Sequence, residues 1–155
     1  MRFAFHSILL ALTLGCATAQ AQLSIEITGG GANQIPIGVL RFVGEEVLPQ
    51  SISDIVEADL QRSGRFRMLF AGSVSPLPAE TAQVDFGTWK NRNADALVIG
   101  SVVRLADGRF ETRFRLLDVP KQAEIGGVAF TLSAQQLRAT AHRIADFVYE
   151  KLTGD

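Results

Sequence analysis

Cysteine is nearly missing from this chain: Cys16 is the single one in 155 residues. There are two histidines, His6 and His142, and one each of tryptophan and tyrosine. Neither sign of charge is in excess, with 15 basic against 16 acidic side chains. Each shortage excludes something. A balanced charge offers no electrostatic footprint for nucleic acid or for an anionic membrane surface. His142 has Asp146 one helical turn away, but the two supply at most two ligands, fewer than a structural or catalytic metal takes. A packed or hydrogen-bonded helix histidine is the reading kept. No Gly-x-Ser-x-Gly elbow occurs. Glu45 and Glu46 are adjacent in an expected loop, which does not place two carboxylates in opposed environments for acid–base work. The sequence therefore predicts no catalytic residue, no metal site, no cofactor and no small-molecule substrate.

What is present begins with an export leader. Met1-Arg2 is followed by an apolar run from Phe3 to Ala17 and then by Thr18-Ala19-Gln20-Ala21, the order of a secretory signal with an Ala-x-Ala cleavage site at Ala19 and Ala21. A run of about 15 residues rises roughly 22 Å as a helix, short of a ~30 Å hydrocarbon core. Leu14-Gly15-Cys16 is the alternative, a lipoprotein signal acylated at Cys16, although Thr13 stands where such signals favour leucine. Cleavage after Ala21 removes the only cysteine, which excludes disulfides and thiolate chemistry from the rest. Arg2 leaves with the leader, so the mature chain is one unit more acidic than the −1 of the whole. Its length suits one domain, able to bury roughly two-thirds of its unfolded surface.

Patterning then predicts the elements. Leu23, Ile25 and Ile27 alternate with polar residues, a strand that ends in Gly29-Gly30-Gly31. A phosphate loop would need a lysine and a helix start after the glycines; Ala32-Asn33-Gln34 leads instead to a proline-led strand, so the glycines read as a hinge. That second strand is expected over Ile35–Val43. Ile52, Ile55, Val56 and Leu60 form a helical stripe ended by Gly64. A short buried strand over Phe66–Phe70, a loose stretch from Gly72 to Ala82, and a brief helix over Phe86–Arg92 with Trp89 inward come next. The continuous apolar run within Asp95–Leu105 suits a central strand covered on both faces. Asp107-Gly108 signals a two-residue hairpin turn. Beyond it Phe110, Thr112, Phe114 and Leu116 alternate with Arg109, Glu111, Arg113 and Arg115, and a further strand spans Ala123–Leu132. Ser133 with Gln136 opens the last helix as a capping box, with Leu137, Ala141, Ile144, Val148 and Leu152 as its apolar stripe. The order β-β-α-β-α-β-β-β-α predicts a mixed sheet with helices packed on it, an α/β (α+β) domain in two layers.

Two surfaces are candidates for binding. Arg104, Arg109, Arg113 and Arg115 cluster on the hairpin, but Asp107 and Glu111 interrupt them, as on a solvated sheet face. The stronger candidate is Gln22, Leu23, Ser24, Ile25, Glu26, Ile27 and Thr28. An amphipathic strand on a glycine hinge, directly after a cleavage site, can add to another protein's sheet edge; the alternative is an ordinary first strand.

The mature sequence resembles the amino-terminal domain of the TolB family of the Tol–Pal envelope system. The resemblance rests on Ile25-Glu26-Ile27, Pro36-Ile37-Gly38-Val39, Ala58-Asp59-Leu60, Ser63-Gly64-Arg65-Phe66, Trp89, Ala94 to Gly100, the Asp107-Gly108 hairpin, His142, Asp146 and Tyr149 to Gly154. It implies a periplasmic, non-enzymatic protein. The first mature residues, Gln22 to Thr28 here, would dock on the carboxyl-terminal domain of TolA, an inner-membrane protein. Family members continue into a β-propeller that binds Pal, so Pal is an expected partner only if a propeller follows Asp155. The resemblance also implies a role in outer-membrane integrity and constriction at division. The expected organisation is a leader over 1–21, a binding strand and hinge over 22–34, and an α/β body over 35–155. The alternative is a spacer domain that only positions a propeller.

Overall fold

The computed structural model describes residues 33–72 and 74–155. The strand expected at Leu23–Ile27, the cleavage site and the triple glycine lie outside the described residues. The body consists of β1 (Ile35–Val39), α1 (Ile52–Arg62), β2 (Phe66–Leu69), α2 (Phe86–Asn91), β3 (Ala96–Arg104), β4 (Phe110–Asp118), β5 (Ala123–Leu132) and α3 (Leu137–Thr153). The strands form one mixed sheet in the order β2-β1-β3-β4-β5. β1 is parallel to both β2 and β3, and β3, β4 and β5 form an antiparallel meander.

Each helix forms where its apolar stripe meets the sheet. Ile52, Val56 and Leu60 of α1 and Leu137, Ala141, Ile144 and Val148 of α3 are buried in one core with Ile37, Val98, Phe114 and Leu116. Ser51 caps α1 by accepting the Asp54 N–H, and Gly64 follows it in the left-handed region at φ +71°. The opposite face carries a second, smaller core in which Trp89 of α2 packs with Leu40, Leu97, Ile99 and Leu117. So β3 is covered on both faces, with Ala96 and Val98 in one core and Leu97 and Ile99 in the other. The two-layer expectation is thus corrected over β1 and β3, where α2 adds a third layer. It holds toward β5, where Arg113, Gly127 and Ala129 are exposed.

Four local expectations are corrected. The strand expected to reach Val43 stops at Val39. The Leu40 N–H donates to Val98 O, but the next bond, to Gly100 O, comes from Val43, three residues on rather than two. The extra residue is a bulge, and it drops Leu40 into the small core and Phe42 into the large one. The expected buried strand over Phe66–Phe70 is an edge strand: Phe66 is buried, but Phe70 is 89% exposed. The hairpin loop has three residues, not two. Gly108 N–H donates to Leu105 O and Leu105 N–H to Arg109 O. Gly108, at φ +85°, takes the left-handed position, so the loop is a type I turn plus a glycine bulge. Finally, the Ser133–Gln136 box is made, with the Ser133 N–H on Gln136 Oε1 at 3.0 Å. It opens a 3-10 turn over Ala134–Gln136, and α3 starts after it.

Thr112 is an exception on the inner face of β4. It is fully buried and its hydroxyl has no hydrogen-bond partner among the described residues. A buried unpaired hydroxyl costs folding free energy that an isosteric methyl does not. Thr112→Val is therefore expected to raise stability by about 1 kcal/mol. The check is a higher urea midpoint at unchanged slope; a lower midpoint would show that the hydroxyl has a partner.

Candidate partner-binding site

The residues predicted to bind a partner, Gln22 to Thr28, lie outside the described residues, as do Ala19 and Ala21. The structure does define where the body that follows them begins. The Gln34 side-chain amide donates to Gly64 O at 3.0 Å and the Ile35 N–H donates to Arg65 O at 3.0 Å. These bonds seat the start of β1 against the turn between α1 and β2. Both sides of β1 are already filled, by β2 and β3. The five described strands form a continuous ladder, so a further strand could join this sheet only at an edge, along β2 or β5.

The arginine cluster is internally paired. Arg109 Nε lies 2.8 Å from Asp107 Oδ2, Arg113 Nε 2.9 Å from Glu111 Oε1, and Arg115 Nη1 3.0 Å from Glu124 Oε2, with Glu80 as a second partner of Arg115. The Arg109 N–H and then its guanidinium hold the Asp107 carboxyl below the usual carboxylate range. The hydrogen bond to Glu111 pushes the Arg113 guanidinium above its ordinary value. Three of the four arginines are therefore occupied on the sheet itself, and Arg104 stands exposed at the end of β3. The arrangement fits a solvated face better than a patch open to an acidic partner.

His142 does not turn to Asp146. Its Nδ1 meets Asp59 Oδ2, which joins α3 to α1 across 83 residues of sequence, and Asp59 also pairs with Arg62. No group of three or more His, Cys, Asp or Glu side chains able to hold a metal occurs among the described residues.

Sequence reasoning missed Glu45. It sits on a 3-10 turn, Glu45–Val47, and is 2% exposed, whereas its neighbour Glu46 is exposed. Its carboxylate accepts from the Ser53 N–H at 3.1 Å, the Ser53 hydroxyl at 2.6 Å, the Ser51 hydroxyl at 3.1 Å and Arg41 Nε at 3.3 Å. It thereby fills the amino-terminal end of α1 with an internal negative charge, where the helix dipole and free N–H groups favour one. The signal that could have found it is the short spacing between Glu45 and the Ser51-x-Ser53 pair at a helix start.

The similarities of the chain agree with this geometry. A model of the TolB amino-terminal domain matches residues 23–125, a span that takes in the expected strand from Leu23 as well as β1 to β4. The Tol-Pal system protein TolB of Nitrosospira multiformis is 49% identical over 152 residues, covering 97% of this chain and 34% of the relative. That of Aromatoleum aromaticum is 52% identical over 153 residues, covering 99% of this chain and 35% of the relative. A crystal structure of TolB from Acinetobacter baumannii superposes with a TM-score of 0.64 at 30% identity, over 78% of this chain and 29% of that one. The chain thus spans about a third of the length of these relatives. With its mixed five-stranded sheet and helices in place, the chain belongs to the family of TolB amino-terminal domains of the Tol–Pal system.

Proposed function

We propose that this chain is a non-enzymatic, periplasmic interaction module of the Tol–Pal system that captures the carboxyl-terminal domain of a TolA-like inner-membrane protein through Gln22 to Thr28. The observation that carries this reading is that the family match begins at residue 23, while β1 to β5 close a ladder in which β1 already has both neighbours. The amphipathic segment is a family feature that the sheet interior does not use. Cleavage after Ala21 frees it, and the triple glycine lets it reach away from the body. Pairing with a partner's sheet edge then supplies affinity through main-chain bonds, and Leu23, Ile25 and Ile27 supply specificity through side-chain pockets. The organisation that goes with this reading is a leader over 1–21, a binding arm over 22–34 and a rigid body over 35–155. Pal enters only through a propeller following this domain. Its contribution to outer-membrane integrity and constriction is that of one link between the two membranes. The domain acts by binding.

A single proline tests strand pairing. Ile25→Pro removes a main-chain donor and sets a ring against the facing strand. It is expected to weaken binding to the TolA carboxyl-terminal domain at least about tenfold, with Ser24→Ala near neutral. Calorimetric titration reads both. Equal affinity for Ile25→Pro would rule out β-augmentation by this segment.

A further inference from the structure

The β1-α1-β2 and β2-α2-β3 connections place their strands in the order β2-β1-β3, with α1 on one face and α2 on the other. In such doubly wound units the natural ligand crevice lies outside the carboxyl ends of the strands. A crevice of ≈ 420 Å³ opens there, floored by Val39, Leu40 and Leu77 and walled by Asp54, Glu57 and Phe70. Its usual occupant would be an anion held on the helix amino terminus. Here Glu45 fills that place, holding the Ser53 N–H and both serine hydroxyls. The rim adds Asp54 and Glu57. The cation among the lining residues, Arg41, has a side chain 65% exposed and its Nε 3.3 Å from the buried Glu45 carboxylate. Asp54 and Glu57 have no ion-pair partner among the described residues, so one buried and two rim carboxylates face a single arginine. Phe70, 89% exposed, lines the same crevice, and an aromatic ring can receive a positive charge on its face.

We propose that this crevice is a second docking site that receives an arginine or lysine side chain of a partner polypeptide, its aliphatic stem over Val39, Leu40 and Leu77 and its charged head between Phe70 and the Asp54 and Glu57 carboxylates. Burial, and then the charge of Asp54, raise the Glu57 carboxyl above its usual range; a cation bound there relieves that repulsion. Asn33 enters at the opposite end of the strands, beside Gly64, and Tyr149 near the end of α3 packs on Phe66 at the start of β2. The crevice and the first described residue, Asn33, therefore lie at different ends of the sheet.

The test is an amide-resolved NMR titration of the chain from Gln22 with the blocked peptide acetyl-Leu-Arg-Leu-Arg-amide, against the same peptide carrying neutral citrulline for arginine. The expected result is shifts centred on Leu40, Arg41, Asp54, Glu57 and Phe70, with the arginine peptide favoured about tenfold. Asp54→Asn with Glu57→Gln should abolish the preference, and Phe70→Ala should weaken both peptides; spectra of the free variants report whether they remain folded. Equal binding of the two peptides would overturn the proposal. So would shifts centred elsewhere, inorganic phosphate competing at the same amides, or a preference that survives the double substitution.

Discussion

Trp89→Ala is expected to lower the stability of this domain by about 3–5 kcal/mol, the cost of removing a large buried aromatic and leaving a cavity. Trp89 is 3% exposed and is the only tryptophan in the chain. It forms the centre of the smaller core, with Leu40, Leu97, Ile99 and Leu117 around it. The backbone has been shaped to admit it. A Cβ added at Gly38 of β1 would lie 2.8 Å from the indole Cζ3 and 3.0 Å from Leu97 Cδ1. Glycine at that position is a packing requirement of the tryptophan, not a turn. The two sites should therefore couple: Gly38→Ala should be damaging alone and much less so when Trp89 is already alanine. Arg92, whose guanidinium stacks 5.0 Å from the indole centroid and also donates to Phe70 O and Ala71 O, ties the loop after β2 to the same core. For a domain with a total stability of ~5–15 kcal/mol, loss of this cluster consumes much of the margin. Denaturant melting followed by circular dichroism checks it. A drop under about 1 kcal/mol would mean that the small core is not needed to hold α2.

Glu45→Ala is the second large effect, expected to cost about 3 kcal/mol. The carboxylate satisfies one main-chain N–H and two serine hydroxyls at the start of α1, in a place that is 2% exposed. Alanine leaves the buried Ser53 N–H without its acceptor, leaves the Ser53 hydroxyl only the Ser51 hydroxyl as a partner, and removes the negative charge from the helix end. Glu45→Gln retains one acceptor oxygen and should cost about half as much. Glu46→Ala, on an exposed neighbour, should be close to neutral. The readout is the urea midpoint at constant slope. If Glu45→Ala and Glu46→Ala were indistinguishable, the buried carboxylate would have no structural role.

Where periodicity and turn chemistry were strong, the sequence was sufficient. β5 spans Ala123–Leu132 as read from its pattern, and the alternation on β4 separates Phe110 and Phe114 from Arg113 and Arg115 as expected. The apolar stripes of α1 and α3 meet in one core. What could not be read depends on residues distant in the chain. The bulge at Leu40–Val43 returns Phe42 to the core that Val39 faces, opposite Leu40, a need set by side chains far along the sequence. His142 has a carboxylate one turn away, yet meets one 83 residues earlier because α1 and α3 pack side by side. Glu45 looked like half of a loop pair because its partners, Ser51 and Ser53, lie in the next element, and only their short spacing at a helix start hints that the helix end closes over it. The hairpin differs from the expected one in loop length and in having a positive φ at Gly108 alone, a choice the Asp-Gly signal leaves open. As for the site, the amphipathic alternation of Leu23 to Ile27 and the hinge were legible from the sequence, and the ladder of the body adds only that the interior of the sheet has no place for them.

The most direct measurement of the central claim is a titration of the carboxyl-terminal domain of TolA with two chains, one starting at Gln22 and one at Gly29. Capture by the amino-terminal arm predicts saturable binding by the first, none by the second, and the same melting temperature for both, because the Gln34 and Ile35 bonds that seat the start of β1 remain in each. Equal binding by the two chains would contradict the account. So would no binding by either, the outcome expected of a domain that serves only as a spacer.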